Sequence, residues 1–263
     1  MAIATSKDGT PIGFEREGQG PPVVLVDGAL CYRGSGPAKP LAALLAPHYT
    51  VFTYDRRGRG ESGDTQPWAP EREVEDLDAV VREAGGSPFV YGISSGAVLA
   101  LEAANRGVPM RKLAIYEAPL FVDDTRAPLG EDFLPRLKAF VAANRPGNAV
   151  KMFMKVVGVP AIGIFMMQFM PVWKKLTAIG HTLVYDISLT SPYQKGRPPA
   201  AGQWSSATVP TLVMDGDKSP AWMRNAQAAV ARVLPNSTTR TLAGQNHMVS
   251  AAAMAPALEE FFK

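Results

Sequence analysis

The sequence predicts an α/β fold: a mostly parallel, doubly wound sheet covered by helices, with one helical segment interrupting the alternation. Three observations support this. Short β-branched or apolar runs alternate with amphipathic helical stretches along most of the 263 residues. The strand signal disappears over about 120–206, where Met, Pro and aromatic residues collect, and then returns. Hydrophobic residues at 46% and charged residues at 19% are close to globular averages, which suits a sizeable core and excludes a disordered or fibrous chain.

The opening "GTPIGFEREGQGPP" reads as an antiparallel hairpin. Strands follow at 22–27, 50–55, 88–93, 112–117, 209–215 and 238–242. Helical periodicity with Gly or Pro punctuation fills 36–47, 71–85, 95–107, 220–235 and 250–262 between and after them. The expected core is therefore 1–119 with 207–263, and 120–206 is a helical cap or lid inserted between two core strands.

Inside the cap, "VVGVPAIGIFMMQFMPVW" 156–173 carries a single polar residue, Gln168. It reaches the roughly 18-residue length of a membrane-spanning candidate. Pro160, Pro171, Gly158 and Gly163 oppose one straight helix, and the flanking strands must share a sheet. A cap packed over an apolar pocket is the favoured reading, with a membrane-touching face as the alternative. Phe165, Met166 and Phe169 are then expected to line the substrate pocket, together with Cys31. The methionines of this region suit a deformable lining or plain core packing equally.

The net charge of +3 is spread along the chain and does not argue for nucleic acid. One cysteine excludes an intrachain disulfide and fits a reducing compartment. Three histidines, His48, His181 and His247, make a His-rich metal centre unattractive. The N-terminal residues lack the basic-then-apolar order of a signal peptide, so the cytoplasm is the default expectation.

The chemistry concentrates in "VYGISSGAVLALE" 90–102. Gly92-Ile93-Ser94-Ser95-Gly96 fits G-x-S-x-G with Ser94 central, between a strand and a helix. A turn this tight strains the central residue and leaves no room for flanking Cβ atoms. Ser94 would project as a nucleophile, and Ser95, opening the helix, would offer its backbone N–H to an oxyanion. "VVLVDGAL" 23–30 ends a strand at Gly28 and places the Ala29 N–H as a second donor. His247, in "LAGQNHMVS" between the last strand and the last helix, can reach the same sheet edge and act as base. His48 and His181 read as structural.

With its hairpin, "DG" turn, "DRRGRGES" turn, "GISSG" elbow, cap and late "GQNHMV", the chain resembles the α/β-hydrolase superfamily over nearly its whole length. The resemblance implies an α/β-hydrolase fold with Ser94 as nucleophile, His247 as base, and Ala29 and Ser95 as oxyanion donors. Two departures stand out. Many relatives carry the triad acid as the second aspartate of a G-D-x-D-like turn, but "DGDKSP" 215–220 has Ser219 there. Glu117, at the end of strand 112–117, is the first candidate to replace it, since some family branches take the acid from that strand end. Asp217 is the second. Asp27 stands where relatives often have histidine. A carboxylate beside an oxyanion must point away, be heavily hydrogen-bonded or be protonated.

The expected activity is serine hydrolysis of an ester, lactone or thioester of a small, largely apolar substrate through an acyl-enzyme, with no metal or organic cofactor implied. The same fold also hosts acyltransferases, perhydrolases, C–C hydrolases and biosynthetic cyclases. A non-catalytic binder of apolar ligands with a weakened triad is the rival from another class. Both monomer and homodimer are compatible with the sequence.

Overall fold

The computed structural model describes residues 2–263, and the chain forms one eight-stranded sheet flanked on both faces by helices. Strands β1 (Ala2–Thr5) and β2 (Pro11–Glu17) make the expected hairpin. The core then runs β3 (Pro22–Val26), α1 (Ala38–Leu45), β4 (Thr50–Tyr54), α2 (Pro70–Glu83), β5 (Phe89–Ile93), α3 (Ser95–Asn105) and β6 (Leu113–Tyr116). After the insertion it resumes with β7 (Thr211–Gly216), α9 (Ala221–Val233), β8 (Ser237–Leu242) and α10 (Ala251–Phe262).

The sheet order is β1-β2-β4-β3-β5-β6-β7-β8, antiparallel at β1–β2 and β2–β4 and parallel elsewhere. Alternating residues feed two separate cores. Val24, Val26, Leu113 and Ile115 pack with residues of α2, α3 and α9 on one face. Val23, Leu25, Ala114 and Tyr116 pack with residues of α1 and α10 on the other. A sheet buried on both faces explains why these strands read as continuous apolar runs.

The chain passes from β3 to β4 on one side and then crosses back to β5 on the other. This is the topological switch point of an open sheet, and ligands bind outside the carboxyl ends of the strands there. Residues 27–31 and the Ser94 turn leave the sheet at those ends.

Between β6 and β7 lie α4 (Phe133–Ala142), α5 (Pro146–Val156), α6 (Ala161–Met167), α7 (Pro171–Ala178) and α8 (Leu183–Thr190), with short 3-10 turns on either side of α8. The apolar stretch 156–173 is broken as its composition predicts: Gly158 adopts φ 90°, Pro160 caps α6 and Pro171 opens α7. Among the described residues, no helix is long and apolar enough to cross a membrane.

Candidate active site

The turn from β5 to α3 puts Ser94 at φ 58°, ψ −128°, a conformation that costs a non-glycine residue about 1–3 kcal/mol. Its backbone holds it there. The Ser94 N–H donates to the Tyr116 carbonyl at 2.9 Å, and its own carbonyl accepts from Ala97 N at 3.0 Å. The flanking glycines are required by close approach. A Cβ on Gly92 would lie 2.5 Å from the Gly96 carbonyl oxygen, and one on Gly96 would strike the Val26 carbonyl.

Gly28 lies against the nucleophile: a Cβ there would sit 2.9 Å from Ser94 Cβ and 3.4 Å from Ser94 Oγ. Neither Ala29 N–H nor Ser95 N–H donates to a protein acceptor among the described residues. Ser95 opens an eleven-residue helix, so the helix dipole adds to its amide. Two backbone donors without a protein acceptor among the described residues thus lie in the segments beside Ser94.

His247 Nδ1 lies 2.8 Å from Glu117 Oε2. Glu117 has no exposed side-chain surface, and its backbone turns left-handed at φ 49° as the chain leaves β6. Its other oxygen accepts from Gly216 N at 3.0 Å and from the Ser219 hydroxyl. The same strand anchors the histidine loop, because the Tyr116 hydroxyl donates to the Asn246 carbonyl at 2.7 Å. Asp217, the other candidate acid, is exposed, and among the described residues only its backbone N–H bonds, to Leu242 O. Among the described residues no hydrogen bond joins Ser94 to His247; in apo enzymes such contacts are often open.

Asp27 is buried, and burial pushes its carboxyl up to about 7, against the pull of the Arg59 guanidinium and the Ala38 N–H. One of its oxygens lies 2.5 Å from where a Gly36 Cβ would be, so the side chain turns toward the start of α1. Burial likewise pushes the Cys31 thiol up to about 12, which leaves it protonated and unreactive at neutral pH. His48 is exposed beyond α1. His181 lies in a 3-10 turn of the cap, 3.3 Å from Asp64.

Of the expected pocket residues in the cap, Phe165 and Met166 lie on α6 and Phe169 lies just after it. Phe165, Met166 and Phe169 are 54%, 56% and 73% exposed. A seven-residue helix has too few turns to bury several faces, and α6 buries Ile164 alone. The apolar cluster that includes Ala29 and Leu30 draws on α4, α5, α7 and α8 together with Phe121 and Trp222.

A family model described as "Alpha/beta hydrolase family" matches residues 23–258. The chain belongs to the α/β-hydrolase family. It is 48% identical to an alpha/beta hydrolase from Sphaerobacter thermophilus DSM 20745, with all of both chains covered and a TM-score of 0.90. It is 18% identical to the enol-lactonase from Burkholderia xenovorans LB400, covering 99% of each chain at a TM-score of 0.71, a likeness of fold alone. Among curated proteins it is 31% identical over 121 residues to the uncharacterized hydrolase YraK of Bacillus subtilis (strain 168). That match spans 43% of this chain and 43% of YraK.

In this α/β-hydrolase the turn 55–62 does more than its polar, glycine-punctuated composition announces. Arg56 and Arg59 are buried and meet Asp186 of α8, while Arg56 also pairs with Glu73 of α2. Arg57, equally buried, pairs with Asp76 of α2. Sequence reading passed over Arg56, Arg59 and Asp186, and took Ser219 only as the vacant acid position. A signal for Asp186 exists: it is the one charged residue in "LVYDISL". Its partner cannot be read from the chain, since 127 residues separate it from Arg59.

Proposed function

We propose that the protein is a serine hydrolase that cleaves the ester, lactone or thioester of a small, largely apolar substrate through an acyl-enzyme on Ser94. The observation that carries this reading is the convergence at one sheet edge of a strained serine, two unengaged amides and a histidine bonded to a buried carboxylate. Apolar residues clustered with Ala29 and Leu30 support an apolar substrate group.

In this reading Glu117 fixes the tautomer with hydrogen on Nδ1, which leaves Nε2 as a base. With substrate bound, His247 takes the Ser94 proton as Oγ attacks the carbonyl carbon, and the oxyanion forms against the Ala29 and Ser95 amides. The proton passes to the leaving group as the acyl-enzyme forms. Water, deprotonated by the same imidazole, then attacks the acyl carbon and releases the acid with Ser94 restored. The non-catalytic alternative rests on the vacant acid position and on the apolar cap, and the hydrogen bond between Glu117 and His247 counts against the first of these.

A fluorophosphonate probe is expected to label the wild type and spare Ser94→Ala, with p-nitrophenyl ester turnover lost in parallel. Labelling that persists in Ser94→Ala rejects the assignment.

A further inference from the structure

We propose that Asp186, carried by the cap helix α8, is the positioning residue of the oxyanion hole: one buried carboxylate that holds both donor peptides in place. This rests on the serine-hydrolase reading of Ser94. Asp186 touches no reacting atom, so its action is indirect.

The first arm runs through Arg59. Asp186 Oδ2 accepts from Arg59 Nη2 at 2.7 Å, and Arg59 Nη1 donates to the Gly28 carbonyl at 2.7 Å and to the Cys31 carbonyl at 3.2 Å. A peptide unit is planar, with its C=O and N–H pointing opposite ways. Pinning the Gly28 oxygen therefore fixes the direction of the Ala29 N–H. A cation on that carbonyl also polarises the unit and makes the N–H a stronger donor.

The second arm runs through Ser95. Its Oγ donates to Asp186 Oδ1 at 2.7 Å, and Arg56 Nη1 reaches the same oxygen at 2.8 Å and Ser95 Oγ at 3.2 Å. The side chain of the second donor residue is thereby tied to the carboxylate that holds the first. Asp186 is 1% exposed. Although burial opposes its charge, the Arg59 and Arg56 guanidiniums and the Ser95 hydroxyl keep its carboxyl below the usual range, so it stays an anion.

Arg56 and Arg59 balance Glu73 and Asp186 within this buried group. The cap and the oxyanion hole form one unit, and seating α8 sets the two amides. A purely architectural ion cluster would cost stability when cut, without singling out the transition state. The clamp instead predicts a loss confined to species that carry the oxyanion.

The test compares wild type, Asp186→Asn and Ser95→Ala, the last removing one hydroxyl while keeping the amide. Readouts are kcat and KM on a p-nitrophenyl ester, inhibition by an alkyl trifluoromethyl ketone, and amide hydrogen exchange over segments 26–32 and 92–98. The ketone is attacked by Ser94 Oγ; its C=O π bond becomes the oxyanion, and the serine proton moves to His247. Expected losses in kcat are about tenfold for Ser95→Ala and about 100-fold for Asp186→Asn, set against about 10²–10³ for deleting a whole donor.

The ketone should weaken by similar factors, KM should stay within about twofold, and both segments should exchange faster. Retained kcat, or lost kcat with undiminished ketone affinity, overturns the proposal. Should Asp186→Asn not fold, Ser95→Ala decides alone. If the wild type shows neither turnover nor fluorophosphonate labelling, the hydrolase reading is what fails. Exchange then still judges the clamp: faster in both segments upholds it, unchanged rejects it.

Discussion

The Ser219 hydroxyl donates to Glu117 Oε1, so the residue standing where many relatives carry the triad acid supports an acid supplied from the neighbouring strand. Gly216 N donates to the same oxygen, which leaves Oε2 to face His247 Nδ1. In the proposed triad the acid follows β6, and Ser219, which follows β7, is its hydrogen-bond donor.

Glu117→Gln is accordingly expected to lower kcat by about 10²–10⁴-fold, because the amide no longer fixes the productive tautomer or stabilises the imidazolium. Asp217→Asn should stay within about twofold, since that side chain is exposed and has no bond to the imidazole. Steady-state rates on a p-nitrophenyl ester measure both, and a reversed ranking would return the acid to Asp217.

Asp27 gives a signed dependence of stability on pH. Its carboxyl titrates at about 7 when folded against 3.8 as an ordinary aspartate. Below about pH 4 both states keep the proton, and the group neither favours nor opposes folding. Between the two values only the unfolded chain ionises, so stability falls as pH rises and levels off above 7. The full swing is at most about 4 kcal/mol. Urea unfolding at pH 5 and pH 8 should show this decline in the wild type and a smaller one in Asp27→Asn; equal declines would place the slope elsewhere.

The elbow glycines should be intolerant of a single methyl group. Gly96→Ala drives its Cβ into the Val26 and Asp27 carbonyls, backbone atoms that cannot swing aside. A loss of about 1–3 kcal/mol or more is expected, as for overpacking in a dense core. Gly28→Ala meets Ser94 Cβ at 2.9 Å and should reduce kcat beyond its effect on melting temperature. Thermal melts beside kinetics separate the two effects.

Cys31 should resist alkylation in the folded protein, because only the thiolate reacts and burial holds the thiol protonated. Iodoacetamide at pH 8 is expected to modify it slowly in buffer and rapidly in urea. Rapid labelling of the folded chain would contradict that burial.

The alternating strands and helices, the break at 120–206 and the glycine-flanked Ser94 are all local, and the sequence by itself was enough for them. Period-two and helical patterns follow from which side chains must leave water, and a five-residue turn carries its own steric demands. The same local evidence says less about α6. Its composition asks for burial, but burial is a property of neighbours, and a two-turn helix at the edge of the cap has few.

The acid was only narrowed to two candidates, because choosing between Glu117 and Asp217 requires the left-handed turn at 117 and the contact with Ser219. The pairing of Asp186 with Arg56, Arg59 and Ser95 was invisible for the same reason. Each partner looks like an ordinary residue in its own segment, and their meeting depends on how the cap settles over the sheet. Local sterics determined the elements and the strained turn at Ser94; long-range packing decided which charges meet around it.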